Sequence, residues 1–355
     1  MTKPLNMHTT PVKEKWASRR KNVQPKAINV SQENLIKASF LAPGQTLPLV
    51  VEPTLKEVDL MGWARNNRKW IETNLLEYGG ILFRGFGLNR QAHFEQFLEA
   101  ISLPLMEYME GATPRTKLGD KVYTSTEFPP ERFISIHNEL CYVMTWPMKI
   151  LFYCMTAPEE GGETPIGDVR KVLARLDGKV LQPFIEKGWM LLRNFGGGFG
   201  PSWQTSYHAE DKESLEAYLR HARIDFEWIS ENHLRTRQVR PAASRHPVTG
   251  EEVWFNHIGF WHVSSLEPEL RSLFLSELKE DGLPFNTYYG DGSTIEDSVI
   301  DELRRAYEAE MIAFRWHEGD ILLLDNMLTA HGRNPFVGSR KVLAAMGEPF
   351  TRQDM

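Results

Sequence analysis

Cysteine is almost missing from this chain. Its 355 residues include two, Cys141 and Cys154, with no Cys-x-x-Cys spacing, which excludes a disulfide framework and a thiolate metal cage. Both are expected to be small buried apolar side chains in a reducing, cytoplasmic setting. No apolar run approaches the roughly 20 residues that a membrane-spanning helix needs, so no membrane association is expected. The stretch from Met1 to Ile28 lacks the apolar core of a secretory signal. Positive charge is not in surplus: 41 Lys and Arg face 47 Asp and Glu, a formal charge of −6. No general field for nucleic acid follows from that balance. Internal repeats and low-complexity tracts are absent. The glycine-rich stretch Gly196-Gly197-Gly198-Phe199-Gly200 is followed by no Gly-Lys-Ser/Thr and fits no dinucleotide fingerprint, which argues against a phosphate cradle.

What is present is a sizeable core, with 41% hydrophobic and 11% aromatic residues. Residues 1–30 read as a flexible basic leader. Leu60, Trp63, Ala64, Trp70, Ile71 and Leu75 recur at helical spacing, and Gly79-Gly80 stops that helix. Ile81–Phe83 reads as a short buried strand, and Phe94, Phe97, Leu98 and Ile101 mark a second helix. From Val122 the pattern turns to strands and loops. Lys149–Thr156 is a continuous apolar run, as expected of a strand buried on both faces. Asp168 is placed to cap a helix. The segment 178–310 reads as an inserted helical lobe, and Ile321–Asp325 and Arg340–Met346 as late strands. Short strands, tight turns and interposed helices predict a mainly β protein with helical insertions. The expected core is a double-stranded β-helix, or jelly-roll barrel, flanked by α-helices in a single domain over 47–350.

Two short stretches carry chemistry. In Ser135-Ile136-His137-Asn138-Glu139 the strand period puts His137 and Glu139 on one face. His331, expected in the loop after Ile321–Asp325, is the candidate third ligand. Two histidines and a carboxylate on one side of a metal leave the other side open, the arrangement of non-haem Fe(II) oxygenases. His-x-Glu alone is weak, since it arises by chance in a chain with 11 histidines. His257 is a rival that also follows a strand, but no carboxylate stands two residues away. His208, His221, His246 and His262 read as surface or core histidines.

His137-x-Glu139, Gly162-Glu163-Thr164-Pro165, Leu324-Asp325-Asn326 and His331-Gly332-Arg333 with Arg340 together resemble the TauD/TfdA family of Fe(II)/2-oxoglutarate oxygenases. Stretches such as Tyr123–Glu127, Gly250–Asn256 and Tyr289–Gly292 are similar to the syringomycin-type aspartate hydroxylases, within a clavaminate synthase-like branch that has Glu where most of the family has Asp. The resemblance implies Fe(II) on His137, Glu139 and His331, with 2-oxoglutarate and O2 as co-substrates. The far carboxylate of 2-oxoglutarate needs a cation, and an arginine is an always-charged, bidentate partner. Arg340 opens a strand and is preferred; Arg333 is the alternative. Thr164 adds a hydroxyl.

The implied activity is hydroxylation of an amino-acid-like small molecule, free or tethered to a carrier protein, in secondary-metabolite (antibiotic) biosynthesis. Retention of Glu139 disfavours halogenation. Desaturation, cyclisation, and a non-catalytic barrel that only binds metal or 2-oxoglutarate are the alternatives. Arg115, Arg193, Trp203 and Asn256 are candidate substrate residues, with ordinary packing as the competing reading for each. Oligomeric state is not legible.

Overall fold

The apolar run from Lys149 to Thr156 becomes most of Thr145–Thr156, an interior strand of a seven-stranded sheet. The computed structural model describes residues 35–107, 116–119, 121–125, 128–196, 198, 200–278 and 280–352. The sheet order is Ile36–Phe40, Leu49–Pro53, Gly80–Phe83, Ile321–Asp325, Thr145–Thr156, Lys341–Thr351, Val122–Thr124. Only Leu49–Pro53 and Gly80–Phe83 pair in parallel. Alternation divides each central strand between two cores. Ile150, Phe152 and Cys154 join Leu322, Leu324, Val342 and Ala344 on one face. Leu151 and Tyr153 join Ile321, Leu323 and Leu343 on the other.

The second face is covered by helices near the start of the described chain, through Leu60, Trp63, Ile71, Leu75, Phe94 and Phe97. The periodicity predicts one helix through Leu75, but the structure has two, Leu60–Asn66 and Arg68–Tyr78. Asn67 is the break. Its side-chain amide donates to the Trp63 carbonyl at 2.8 Å, competing with the backbone for that acceptor. Gly79 then ends the second helix at φ 79°, and a Cβ there would lie 2.4 Å from Thr329 Oγ1, so only glycine fits.

The first face looks toward a smaller, four-stranded sheet ordered Met311–Ile312, Ile166–Asp168, Thr329–Arg333, Ile134–His137. Residues 178–310 hold helices and also an antiparallel sheet of their own: Asp225–Trp228, Leu234–Arg240, Trp189–Phe195 and Phe285–Tyr289. Trp189, Leu191 and Tyr289 from this segment belong to the same core as Ile150 and Leu322. Asp168 does cap Val169–Arg175, accepting from the Arg170 N–H at 3.0 Å. Both cysteines are buried and unpaired, and burial pushes the Cys154 thiol up to about 12, which leaves it inert. No helix among the described residues is long and apolar enough to cross a membrane. The expected leader at 1–30 lies outside the described residues.

Candidate metal centre

His137 ends the strand Ile134–His137, and His331 sits mid-strand in Thr329–Arg333. The expectation of a loop at His331 is therefore corrected. Thr-Ala-His-Gly-Arg has no apolar alternation, so the strand is specified by its neighbours and not by its own pattern. The two strands are antiparallel and His331 pairs directly with His137, so adjacent backbone positions deliver both rings. Gly332 permits the close approach, since a Cβ there would lie 2.6 Å from the Ile134 carbonyl oxygen.

Glu139 is not on the strand, contrary to the period-two reading. It lies in the turn that follows, where Leu140 takes φ 54°. Asn326 fixes it there. The Asn326 side chain accepts from the Glu139 N–H at 2.7 Å and donates to the Glu139 carbonyl at 2.8 Å. One donor atom from each of His137, Glu139 and His331 falls within 4.8 Å of the others. His331 Nε2 stands 3.7 Å from Glu139 Oε2, and the histidine rings are 4.7 Å apart.

The donor set fits a divalent metal. His137 Nδ1 donates to the Ser135 carbonyl at 2.7 Å, which fixes the tautomer and leaves the Nε2 lone pair free. Burial, and then the neighbouring His331, hold the His137 pKa well below the usual histidine range, so the ring is neutral, as a metal ligand must be. His331 Nδ1 is buried with no hydrogen-bond partner among the described residues. His257, the rival, is excluded by its hydrogen bonds: Nε2 donates to the Asn138 carbonyl at 2.7 Å and Nδ1 accepts from Trp261 Nε1 at 3.1 Å. Neither nitrogen retains a lone pair for a metal.

The same small cavity that His137 and His331 line is lined by Thr164, Ser125 and Arg340. Arg340 donates from Nε to the Gly162 carbonyl at 2.9 Å and from a terminal nitrogen to Ser125 Oγ at 3.2 Å. Thr164 Oγ1 lies 3.5 Å from Arg340 and accepts from Trp316 Nε1 at 3.2 Å. No carboxylate pairs with Arg340 among the described residues. Burial lowers its pKa to about 10, with Arg333 adding like-charge repulsion. Arg333 is engaged differently, by the Phe128, Pro129 and Arg132 carbonyls at 2.8, 2.6 and 2.9 Å.

Comparison with known proteins decides the family. The model described as "Taurine catabolism dioxygenase TauD, TfdA family" matches residues 44–346. The chain belongs to the TauD/TfdA family. It is 42% identical over 279 residues to the dapdiamide synthesis protein DdaC of Enterobacter agglomerans, covering 79% of this chain and 85% of that one. A clavaminate synthase-like protein of Arabidopsis thaliana is 29% identical over 323 residues, covering 87% and 90%. The crystal structure of PvcB from Pseudomonas aeruginosa shares the fold, with a TM-score of 0.54 at 17% identity over 90% of this chain and 93% of that one. This TauD/TfdA protein is thus an Fe(II)/2-oxoglutarate-dependent dioxygenase.

Of the four candidate substrate residues in this dioxygenase, Arg115 lies outside the described residues. Trp203 is 4% exposed, in a satellite cluster with Phe195, Tyr207, Leu215 and Leu219. Asn256 is likewise held by backbone, donating to the Ala242 carbonyl at 2.8 Å and accepting from the Ile258 N–H at 3.1 Å. It lines a separate cavity with His257, Phe260, Arg304 and Tyr307. Arg193 is buried between aromatic rings and is taken up below. The role of Asn326 is not legible in the sequence, because its partners lie about half the chain away.

Proposed function

We propose that this dioxygenase hydroxylates an amino-acid-like small molecule, free or tethered to a carrier protein, in a biosynthetic pathway. His137, Glu139 and His331 would hold Fe(II), and Arg340 with Thr164 would anchor 2-oxoglutarate in a jelly-roll core made of the two facing sheets. The observation that carries this reading is Glu139 Oε2 at 3.7 Å from His331 Nε2. A carboxylate beside both histidines completes a three-residue face and leaves the opposite side for co-substrate and O2. The bound iron and 2-oxoglutarate would supply the oxidising power for an unactivated C–H bond.

The protein's own part is to bind and orient. Asn326 fixes the Glu139 backbone, Ser135 fixes the His137 tautomer, and the buried Arg340 presents its fork to a carboxylate. The amino-acid class is supported by the similarity to syringomycin-type hydroxylases and by the relationship to a dapdiamide synthesis protein. The test is 2-oxoglutarate consumption with a panel of free amino acids and the same residues loaded on a carrier protein. Stimulated turnover with formation of a hydroxylated product supports the reading. Equal rates on free and loaded forms remove the carrier requirement, and no stimulation by any member overturns the substrate class.

A further inference from the structure

We propose that Arg193 forms an anion subsite that receives a carboxylate of the organic substrate. The proposal deepens the amino-acid reading above and rests on it for the identity of the ligand. Arg193 lies on Trp189–Phe195 and shares a face with Trp189, Leu191 and Phe195 by strand alternation. It is 6% exposed. Its guanidinium carbon is 4.6 Å from the centre of the Phe195 ring and 5.2 Å from that of Trp261.

Other buried or half-buried arginines have fixed protein partners. Arg240 donates to the Tyr142 and Ala222 carbonyls, Arg333 to three carbonyls, and Arg84 to Asp320. Arg193 has neither an ion pair nor a side-chain hydrogen bond among the described residues. A buried cation without an anion is costly, and ring stacking offsets only part of that. The contacts with the two rings occupy none of the five N–H donors that a guanidinium carries. That planar fork matches a carboxylate.

Trp261 ties this arginine to the metal centre. Its indole N–H donates to His257, and His257 donates to the carbonyl of Asn138, next to Glu139. The position of Arg193 is thereby held relative to the iron ligands. Beyond Phe195 the strand runs straight into the glycine-rich loop, where Gly196 takes φ 78° and Gly200 φ 76°.

The test uses anaerobic enzyme saturated with Fe(II) and 2-oxoglutarate, so that the Arg340 site is filled. Acetate, as the simplest carboxylate probe, is expected to raise the melting temperature of the wild type and not of Arg193→Met. Arg193→Lys, which keeps the charge without the fork, serves if the Met variant does not fold, and is expected to respond weakly. An equal acetate response in wild type and variant overturns the subsite. In the second arm, 2-oxoglutarate turnover is measured with amino acids, their α-amides, and Asn and Gln beside Asp and Glu. Arg193→Met is expected to raise the KM for the acid substrate roughly tenfold or more and to leave the KM for 2-oxoglutarate unchanged. A matching loss with the α-amide identifies the α-carboxylate as the group read; a matching loss with the side-chain amide identifies a side-chain carboxylate. Unchanged KM in the variant overturns the proposal. Should no amino acid stimulate turnover while acetate still separates wild type from variant, the anion subsite stands and the amino-acid reading falls.

Discussion

Asn326 grips Glu139 by both backbone polar groups, accepting from its N–H at 2.7 Å and donating to its carbonyl at 2.8 Å. The same side-chain amide donates to the Pro147 carbonyl, and the Asn326 carbonyl accepts from Asn138 at 2.7 Å. The turn that precedes the His331 strand is thus stitched to the turn that presents Glu139. Removing one partner of a buried hydrogen bond leaves the other unsatisfied at a cost of about 1–3 kcal/mol. Asn326→Ala is expected to lower the melting temperature and to weaken Fe(II) binding by roughly 10–100-fold, the usual range for lost outer-shell support. Wild-type Fe(II) affinity in the folded variant would remove Asn326 from the account.

Arg340 and Arg333 are expected to fail in different ways. Losing the charged partner of a buried carboxylate typically costs about 3–5 kcal/mol, and each ~1.4 kcal/mol is tenfold. Arg340→Ala should therefore raise the KM for 2-oxoglutarate by roughly two orders of magnitude while Fe(II) still binds. Lysine should rescue poorly, because a point charge replaces a fork. Arg333→Ala should mainly lower stability, because three backbone carbonyls lose their donor. A normal KM in Arg340→Ala with 2-oxoglutarate binding lost in Arg333→Ala would reverse the assignment.

Acid should destabilise the fold in part through His262. Burial lowers its pKa to about 4, from 6.5 in the unfolded chain. Its Nδ1 accepts from the Ser264 N–H at 3.2 Å, a role for the neutral ring. Below pH 6.5 the unfolded chain binds a proton that the folded protein refuses, so stability present above that pH is lost as pH falls toward 4. The full loss is on the order of 3 kcal/mol, at ~1.4 kcal/mol per pKa unit. His262→Asn keeps an acceptor near Nδ1 and removes the titration. The melting temperature of this variant should fall less steeply than wild type between pH 6.5 and 4.5; parallel curves would show that His262 does not contribute.

Residue types and periods carried much of this structure in advance. Lys149–Thr156 announced a strand with two buried faces because every position from Ile150 to Met155 is apolar. Asp168 announced a helix start because a carboxylate before an apolar period has few other uses. The pairing of His331 with His137 was not legible, because register is set by neighbouring strands and no local pattern marks Thr329–Arg333. Glu139 was read on the strand because a period of two continues through it, whereas Leu140 turns the chain and Asn326 holds the carboxylate from outside. Trp203 shows the converse. It is a candidate substrate residue by residue type and place in the chain, and only the fold shows its burial among Phe195, Tyr207, Leu215 and Leu219.

The central claim is that His137, Glu139 and His331 hold the iron that 2-oxoglutarate chelates. Anaerobic titration of metal-free protein with Fe(II) and then 2-oxoglutarate, followed by visible absorption, tests it most directly. The wild type and His257→Ala should develop the weak charge-transfer band of the chelate at one equivalent of iron, whereas His331→Ala and Glu139→Ala should not. A wild-type band in folded His331→Ala, lost instead in His257→Ala, would contradict the account.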